Sequence, residues 1–246
     1  MSLVREFIRS VLLESVGLCS SPKVIFMAGG PGSGKSTVIR ALGLQNELSI
    51  VNPDDMYEES LKAAGIPLQR GDLVNDYKLI KRKYKQAEEE GDSSLVAELE
   101  PEYLALRAVM SQNMKLFAAA RKAAKLQAQE YACDKQSFLV DGTGGDRRAI
   151  AKQVRDLRDQ GYDVGMIYID VPLETSIARN RARGDAGGRG LHDDTVAKSW
   201  TAVNKNRELY SELFGDSFFY VDASEGNFQD GISEIRGPVE TFLNRA

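Results

Sequence analysis

The sequence predicts an α/β fold: a mostly parallel, five-stranded sheet flanked by helices, with a long helical insert between the second and third strands. Three observations carry this. Short β-rich apolar runs alternate with helical patterns, which implies parallel strands joined by right-handed crossovers. A glycine-rich loop directly follows the first run. The stretch between the second and third runs is far too long for a connection and reads as almost wholly helical.

The elements follow in order. Residues 1–20 place Leu3, Val4, Phe7, Ile8, Val11, Leu12 and Val16 at three- and four-residue steps, an amphipathic helix closed near Gly17. VIFMA (24–28) is the first strand and SIVN (49–52) the second; SFLVD (137–141), VGMIYIDV (164–171) and FFYVD (218–222) complete the sheet. Within the insert (56–136), DYKLIKRKYKQAEEE forms one helix and GDSS a break. Pro101 is expected to open the next helix, because a first turn accepts proline. Ile150, Val154 and Leu157 make a stripe started by Asp146 and stopped by Gly161. All 246 residues read as one domain.

Composition narrows the function classes. With 32 basic and 36 acidic residues the net charge is −4, which argues against indiscriminate coating of nucleic acid but leaves room for a local basic groove. One histidine, His192, excludes most histidine-based metal sites. The chain shows no signal peptide and no run of about 20 apolar residues, so a cytoplasmic setting without membrane contact is expected, with Cys19 and Cys133 kept as thiols.

Residues 29–37 read GGPGSGKST and fit G-x-x-x-x-G-K-[ST]. Glycines let backbone N–H groups turn inward around phosphate oxygens, and the following helix presents its positive end. Gly29, Gly30, Pro31, Gly32, Ser33, Gly34, Lys35, Ser36 and Thr37 are therefore expected to bind the phosphates of ATP or GTP. Lys35 should reach the β- and γ-phosphates, and the Ser36 hydroxyl should ligate Mg²⁺. DGTG (141–144) and NKNR (204–207) echo GTPase motifs, but the second lacks its aspartate and falls in an expected helix.

A small kinase remains, closed by an arginine lid at 179–192. VPLETSIARNRARGDAGGRG starts a helix at Pro172 and carries Arg179, Arg181, Arg183 and Arg189. Spacing of four puts Arg179 and Arg183 on one face, and Arg189 follows a Gly187-Gly188 hinge. NPDD (52–55) ends the second strand at the carboxyl edge where ligands collect, so Asp54 or Asp55 is the natural base. Asp55 could equally cap the next helix. Asp141 would lie beside the loop, holding Mg²⁺ water or touching substrate.

The order GGPGSGKST, NPDD, FLVDGTG, DVP, R-x-x-x-R and GGR, across residues 22–225, resembles the zeta-toxin kinases. The resemblance implies phosphoryl transfer from ATP or GTP to a hydroxyl of a UDP-activated amino sugar, and a small antitoxin partner. By position it makes Asp54 the catalytic base, Asp141 and Thr143 substrate contacts, and Arg183 and Arg189 the lid arginines. The chain departs from the family where Gly145 replaces a substrate-contacting arginine, and in a longer insert carrying Lys81, Arg82, Lys83 and Lys85. Two alternatives stand beside the small-molecule kinase. In a 5′-hydroxyl polynucleotide kinase the basic run would grip nucleic acid, although EEE (88–90) follows it and favours a solvated face. The other is a nucleotide-binding switch without phosphotransfer.

Overall fold

Lys23–Ala28 (β1) is buried along its whole length, so it must sit at the centre of a sheet covered on both faces. A computed structural model, describing residues 21–68 and 71–245, places it there. The strand order is β2-β3-β1-β4-β5, with β2 Ser49–Val51, β3 Phe138–Asp141, β4 Asp163–Asp170 and β5 Phe218–Asp222. Every pairing is parallel, and β1 aligns Met27 with Asp141 on one side and Ile167 on the other. The expected N-terminal helix over 1–20 lies outside the described residues.

One face of the sheet packs Ile25, Met27, Leu139 and Ile167 under Lys35–Leu42 (α1) and Phe228–Leu243 (α10). The other packs Phe26, Phe138, Met166 and Tyr168 under Arg147–Asp159 (α6) and Arg207–Phe214 (α9). At the amino edge, Lys23 is buried. Its ammonium donates to Asp163 (2.6 Å) and to the Arg245 carbonyl (2.7 Å) and lies over the Phe242 ring, so the charge is paired where β1 begins. At the carboxyl edge, β1 and β4 lead to opposite sides of the sheet. That opens a crevice at the ends of the central strands, where ligands of such sheets bind.

After a short helix, Leu44–Glu47 (α2), and β2, the insert begins with Pro53–Ala63 (α3). Asn52 caps α3, its Oδ1 accepting from Asp54 N at 2.9 Å and Asp55 N at 3.3 Å. Asp55 is therefore not the cap: it sits in the first turn, and Pro53 takes the first helical position, which tolerates a missing N–H.

Gly71–Glu90 (α4) and Ser93–Cys133 (α5) form a helical hairpin through Gly91 and Asp92, zipped by stacked Tyr84 and Tyr103 with centroids 4.5 Å apart. Here, too, the expected helix start is corrected. Pro101 lies inside α5, which starts eight residues earlier, where the Asp92 carboxylate accepts from Ser94 and Leu95 and supplies the stronger start signal. The proline interrupts one helical hydrogen bond without ending the helix. Tyr57 and Leu61 of α3 pack with Ala120 of α5, tying the insert to the end of β2.

Leu173–Asp185 (α7) follows β4, then Asp193–Asn204 (α8). The NKNR stretch is not internal to a helix. α8 ends at Asn204, and Asn206 donates from its side chain to the Gly144 and Gly145 carbonyls before α9 begins.

Restoring the missing N–H with Pro101→Ala should slow amide hydrogen exchange across residues 93–101 by roughly tenfold or more, since proline inside a helix costs up to about 3 kcal/mol. Unchanged exchange there would mean that the first two turns of α5 do not depend on the rest of the helix.

Candidate active site

The loop after β1 turns on glycine. Gly32 and Gly34 have φ of 77° and 96°, and a Cβ on Gly32 would run into the Ser176 carbonyl of α7. The Ser176 hydroxyl in turn donates to the Pro31 carbonyl, so the first turns of α7 clamp the loop from above. Gly34 begins α1 without a side-chain cap, which leaves the first amides of that helix available to an anion.

Lys35 folds back under the loop and donates to the carbonyls of Gly29 (2.9 Å) and Gly30 (3.4 Å). Burial pulls its ammonium below the ordinary lysine range, and the Asp141 and Asp54 carboxylates oppose that shift.

A cavity of about 480 Å³ opens above this loop. Pro31 to Thr37 form its floor, and Asp54, Asp141, Thr143, Arg179, Arg183 and Arg189 all line it. Gly29 and Gly30 do not. The Gly29 amide donates to the Thr143 carbonyl at 2.9 Å, and Gly30 packs on Trp200, so these two glycines shape the turn from behind. Trp200 is fixed in turn by its indole N–H, which donates to the Val171 carbonyl at 2.7 Å.

Asp141 ends β3 with one oxygen, Oδ2, accepting from Asn52 Nδ2 at 3.1 Å, while Oδ1 is buried without a partner. Burial raises its carboxyl above the ordinary aspartate range, Lys35 opposes this, and Asp55 and Asp54 add to it. Burial likewise raises Asp55, with Asp54 adding to the shift. An orphaned buried carboxylate oxygen and the exposed Ser36 hydroxyl in one cavity are the hard oxygen donors that Mg²⁺ takes. No cluster of three or more acidic, cysteine or histidine ligands occurs among the described residues.

The arginines divide. Arg179 lies over the Phe228 ring at 5.4 Å, with Nη2 donating to the Ala223 carbonyl and Nη1 buried and unpartnered. Arg183, one turn on, shares its face and the cavity. Arg181 points away and pairs with Asp193 outside the cavity. Arg189 is 9% exposed. Its Nη1 lies 3.0 Å from Asp54 Oδ1 and 3.9 Å from Glu58 Oε1, and its guanidinium sits over the Tyr57 ring. The loop that carries it is held by Asn180, whose amide both donates to and accepts from the Leu191 backbone.

Sequence reasoning missed several lining residues. Glu58 was legible, since it lies four residues after Asp54 on the same helix face. Asn52 was part of the NPDD element but was not assigned to the site. Phe117, Leu191, Thr195 and Ser199 reach the cavity from α5, the lid loop and α8 through tertiary packing alone. The basic run Lys81 to Lys85 is on α4, and none of it lines the cavity.

A carboxyl whose folded pKa is raised favours the native state below its unfolded pKa, and that contribution is lost as pH rises through the folded value. Asp141→Asn should therefore raise the thermal midpoint at pH 7 by a few degrees, on the order expected for relief of one buried charge. The gain should vanish towards pH 3, and a gain independent of pH would contradict the burial of this charge. Lys35→Ala should weaken ATP binding by at least tenfold in calorimetry, since it removes a charge-assisted contact.

Residues 24–209 match the family described as an AAA domain, about three quarters of the chain. No curated protein matches. A structure described as a candidate kinase from Chloroflexus aurantiacus J-10-fl superposes with a TM-score of 0.56 at 16% identity, covering 92% of this chain and 100% of that one. The AvrRxo1-ORF1:-ORF2 structure with ATP gives 0.50 at 17%, covering 85% of this chain and 57% of that one. The PezAT toxin–antitoxin structure of Streptococcus pneumoniae gives 0.47 at 14%, covering 100% and 98%. At such identities the likeness concerns the fold, an all-parallel P-loop kinase-like sheet. The chain belongs to this AAA domain family.

Proposed function

We propose that the protein is a Mg²⁺-dependent kinase that transfers the γ-phosphoryl group of ATP or GTP to a hydroxyl of a small molecule. The observation that carries this reading is one cavity with Lys35 in its floor and a half-exposed carboxylate, Asp54, in its wall. A switch protein has no use for that carboxylate.

In this mechanism the loop amides and Lys35 hold the β- and γ-phosphates, and Arg179 and Arg183 neutralise their charge from above. Asp54 orients the acceptor hydroxyl and takes its proton. The hydroxyl oxygen then bonds to the γ-phosphorus, the bond from that phosphorus to the bridging oxygen breaks, and the nucleoside diphosphate leaves with the electron pair. Ser36 and Asp141 are the residues that would hold the metal, which supplies charge neutralisation between the phosphates.

Arg189 must leave Asp54 before that carboxylate can act as a base, and the γ-phosphate is the natural competitor for its guanidinium. Within this reading the zeta-toxin resemblance adds the finer expectations of a nucleotide-sugar acceptor and a small protein inhibitor. Gly145 in place of an arginine weakens the first. The position of the basic run outside the cavity supports the small-molecule reading over a polynucleotide acceptor.

Incubation with labelled ATP and a panel of hydroxyl compounds tests the proposal. Asp54→Asn should lower acceptor-dependent turnover by on the order of 100-fold or more while ATP still binds. Asp55→Asn should retain most activity. ATP consumption without any acceptor, unaffected by Asp54→Asn, would indicate a hydrolase or switch instead.

A further inference from the structure

The wall of the cavity opposite the phosphate loop is unlike the floor. It is built from α3 and α5: Asp54, Asp55 and Glu58 on the first two turns of α3, and Phe117 of α5, whose ring packs edge-on against Tyr57 with centroids 5.1 Å apart. Three carboxylates and an aromatic pair thus converge. The cations that line the cavity elsewhere, Lys35, Arg179 and Arg183, belong to the loop, its helix and α7.

The fourth cation, Arg189, occupies this acidic wall. Its guanidinium lies 3.0 Å from Asp54 and 3.9 Å from Glu58, and 5.5 Å from the centre of the Tyr57 ring. Two carboxylates and the face of an aromatic ring are the constellation that holds a cation in partial burial. The chain itself fills that position in this structure, and with a side chain that phosphoryl transfer needs elsewhere.

When Arg189 turns to the phosphates, Glu58 and the Tyr57 face lose their cation, and Glu58 is left partly buried in the wall without that counter-charge. An acceptor bearing phosphate or carboxylate would meet only like charge there. One bearing an ammonium group would take over the position that Arg189 leaves.

We infer that the acceptor is a phosphate-free hydroxyl compound carrying a cationic amine, of the amino-sugar or aminocyclitol class, with its ammonium group held by Glu58 against the Tyr57 ring, in the place Arg189 takes in this structure. This rests on the kinase reading above and narrows it. The amine then has a second role. By replacing Arg189 in the wall it stabilises the arrangement in which the arginine is free for the phosphates, so acceptor and nucleotide bind with mutual support.

The test uses the full chain with Mg²⁺ and a non-hydrolysable ATP analogue, and follows ligand binding by saturation-transfer NMR. Three matched sets of probes are compared: amino sugars and aminocyclitols, the same rings with hydroxyl in place of amine, and their phosphate esters. Binding should be confined to the amine set, with the hydroxyl counterparts at least tenfold weaker and the phosphate esters absent. Glu58→Gln should weaken the amine set at least tenfold while calorimetric affinity for the nucleotide is not reduced.

Binding of the phosphate esters, equal binding of amine and hydroxyl sets, or binding by none of the three overturns the inference. Labelled ATP separates it from the reading it rests on. Amine compounds that bind but accept no phosphate would refute the kinase and leave the cation site standing. Transfer to a sugar phosphate or nucleotide sugar would keep the kinase and refute the cation site.

Discussion

Lys35 is the constraint around which the rest of the site is arranged. An ammonium drawn partly out of water is costly unless its charge is met, and in this structure its hydrogen bonds go to two neutral carbonyls, Gly29 and Gly30. The nearby carboxylates of Asp141 and Asp54 oppose the loss of its proton, while Arg183 and Arg189 favour it. The lysine thus sits between groups of both signs, with no anion bonded to it directly. In the proposed mechanism a triphosphate would resolve this imbalance, because it would bring negative charge to the cavity that Lys35, Arg179 and Arg183 line.

The same bookkeeping explains the state of the lid. Arg189 is held on Asp54, and Asn180 fixes the backbone of the loop at Leu191. In the structure the carboxylate proposed to act on the acceptor is paired with the guanidinium proposed to act on the donor. Gly187, in a left-handed conformation at the end of α7, and the close packing of Gly184 on Gly190 let the chain make this turn.

Much of this was legible in the sequence, because the decisive signals are local. The loop glycines, Lys35 and Ser36 follow from their spacing, and the five strands from short β-rich runs. What misled was competition between local signals: Asp55 against Asn52 for the cap of α3, and Pro101 against Asp92 for the start of α5. In both cases the true cap stood just before the helix and accepted from two backbone amides. The wall of the cavity built by α3 and α5 was the least legible part. Phe117 sits 63 residues after Asp54, and only the packing of α5 on α3 brings them to one cavity. Arg189 was expected at the phosphates, and no sequence pattern shows its pairing with Asp54.

The central claim is that one cavity holds a phosphate floor and a base-bearing wall, with Arg189 moving between them. A crystal structure with Mg²⁺ and a non-hydrolysable ATP analogue tests it most directly. The account predicts the γ-phosphate within hydrogen-bond distance of Lys35 Nζ, Arg189 turned onto phosphate oxygens, and Asp54 released towards the acceptor side. A triphosphate bound elsewhere, or bound here with Arg189 still paired to Asp54, would contradict it.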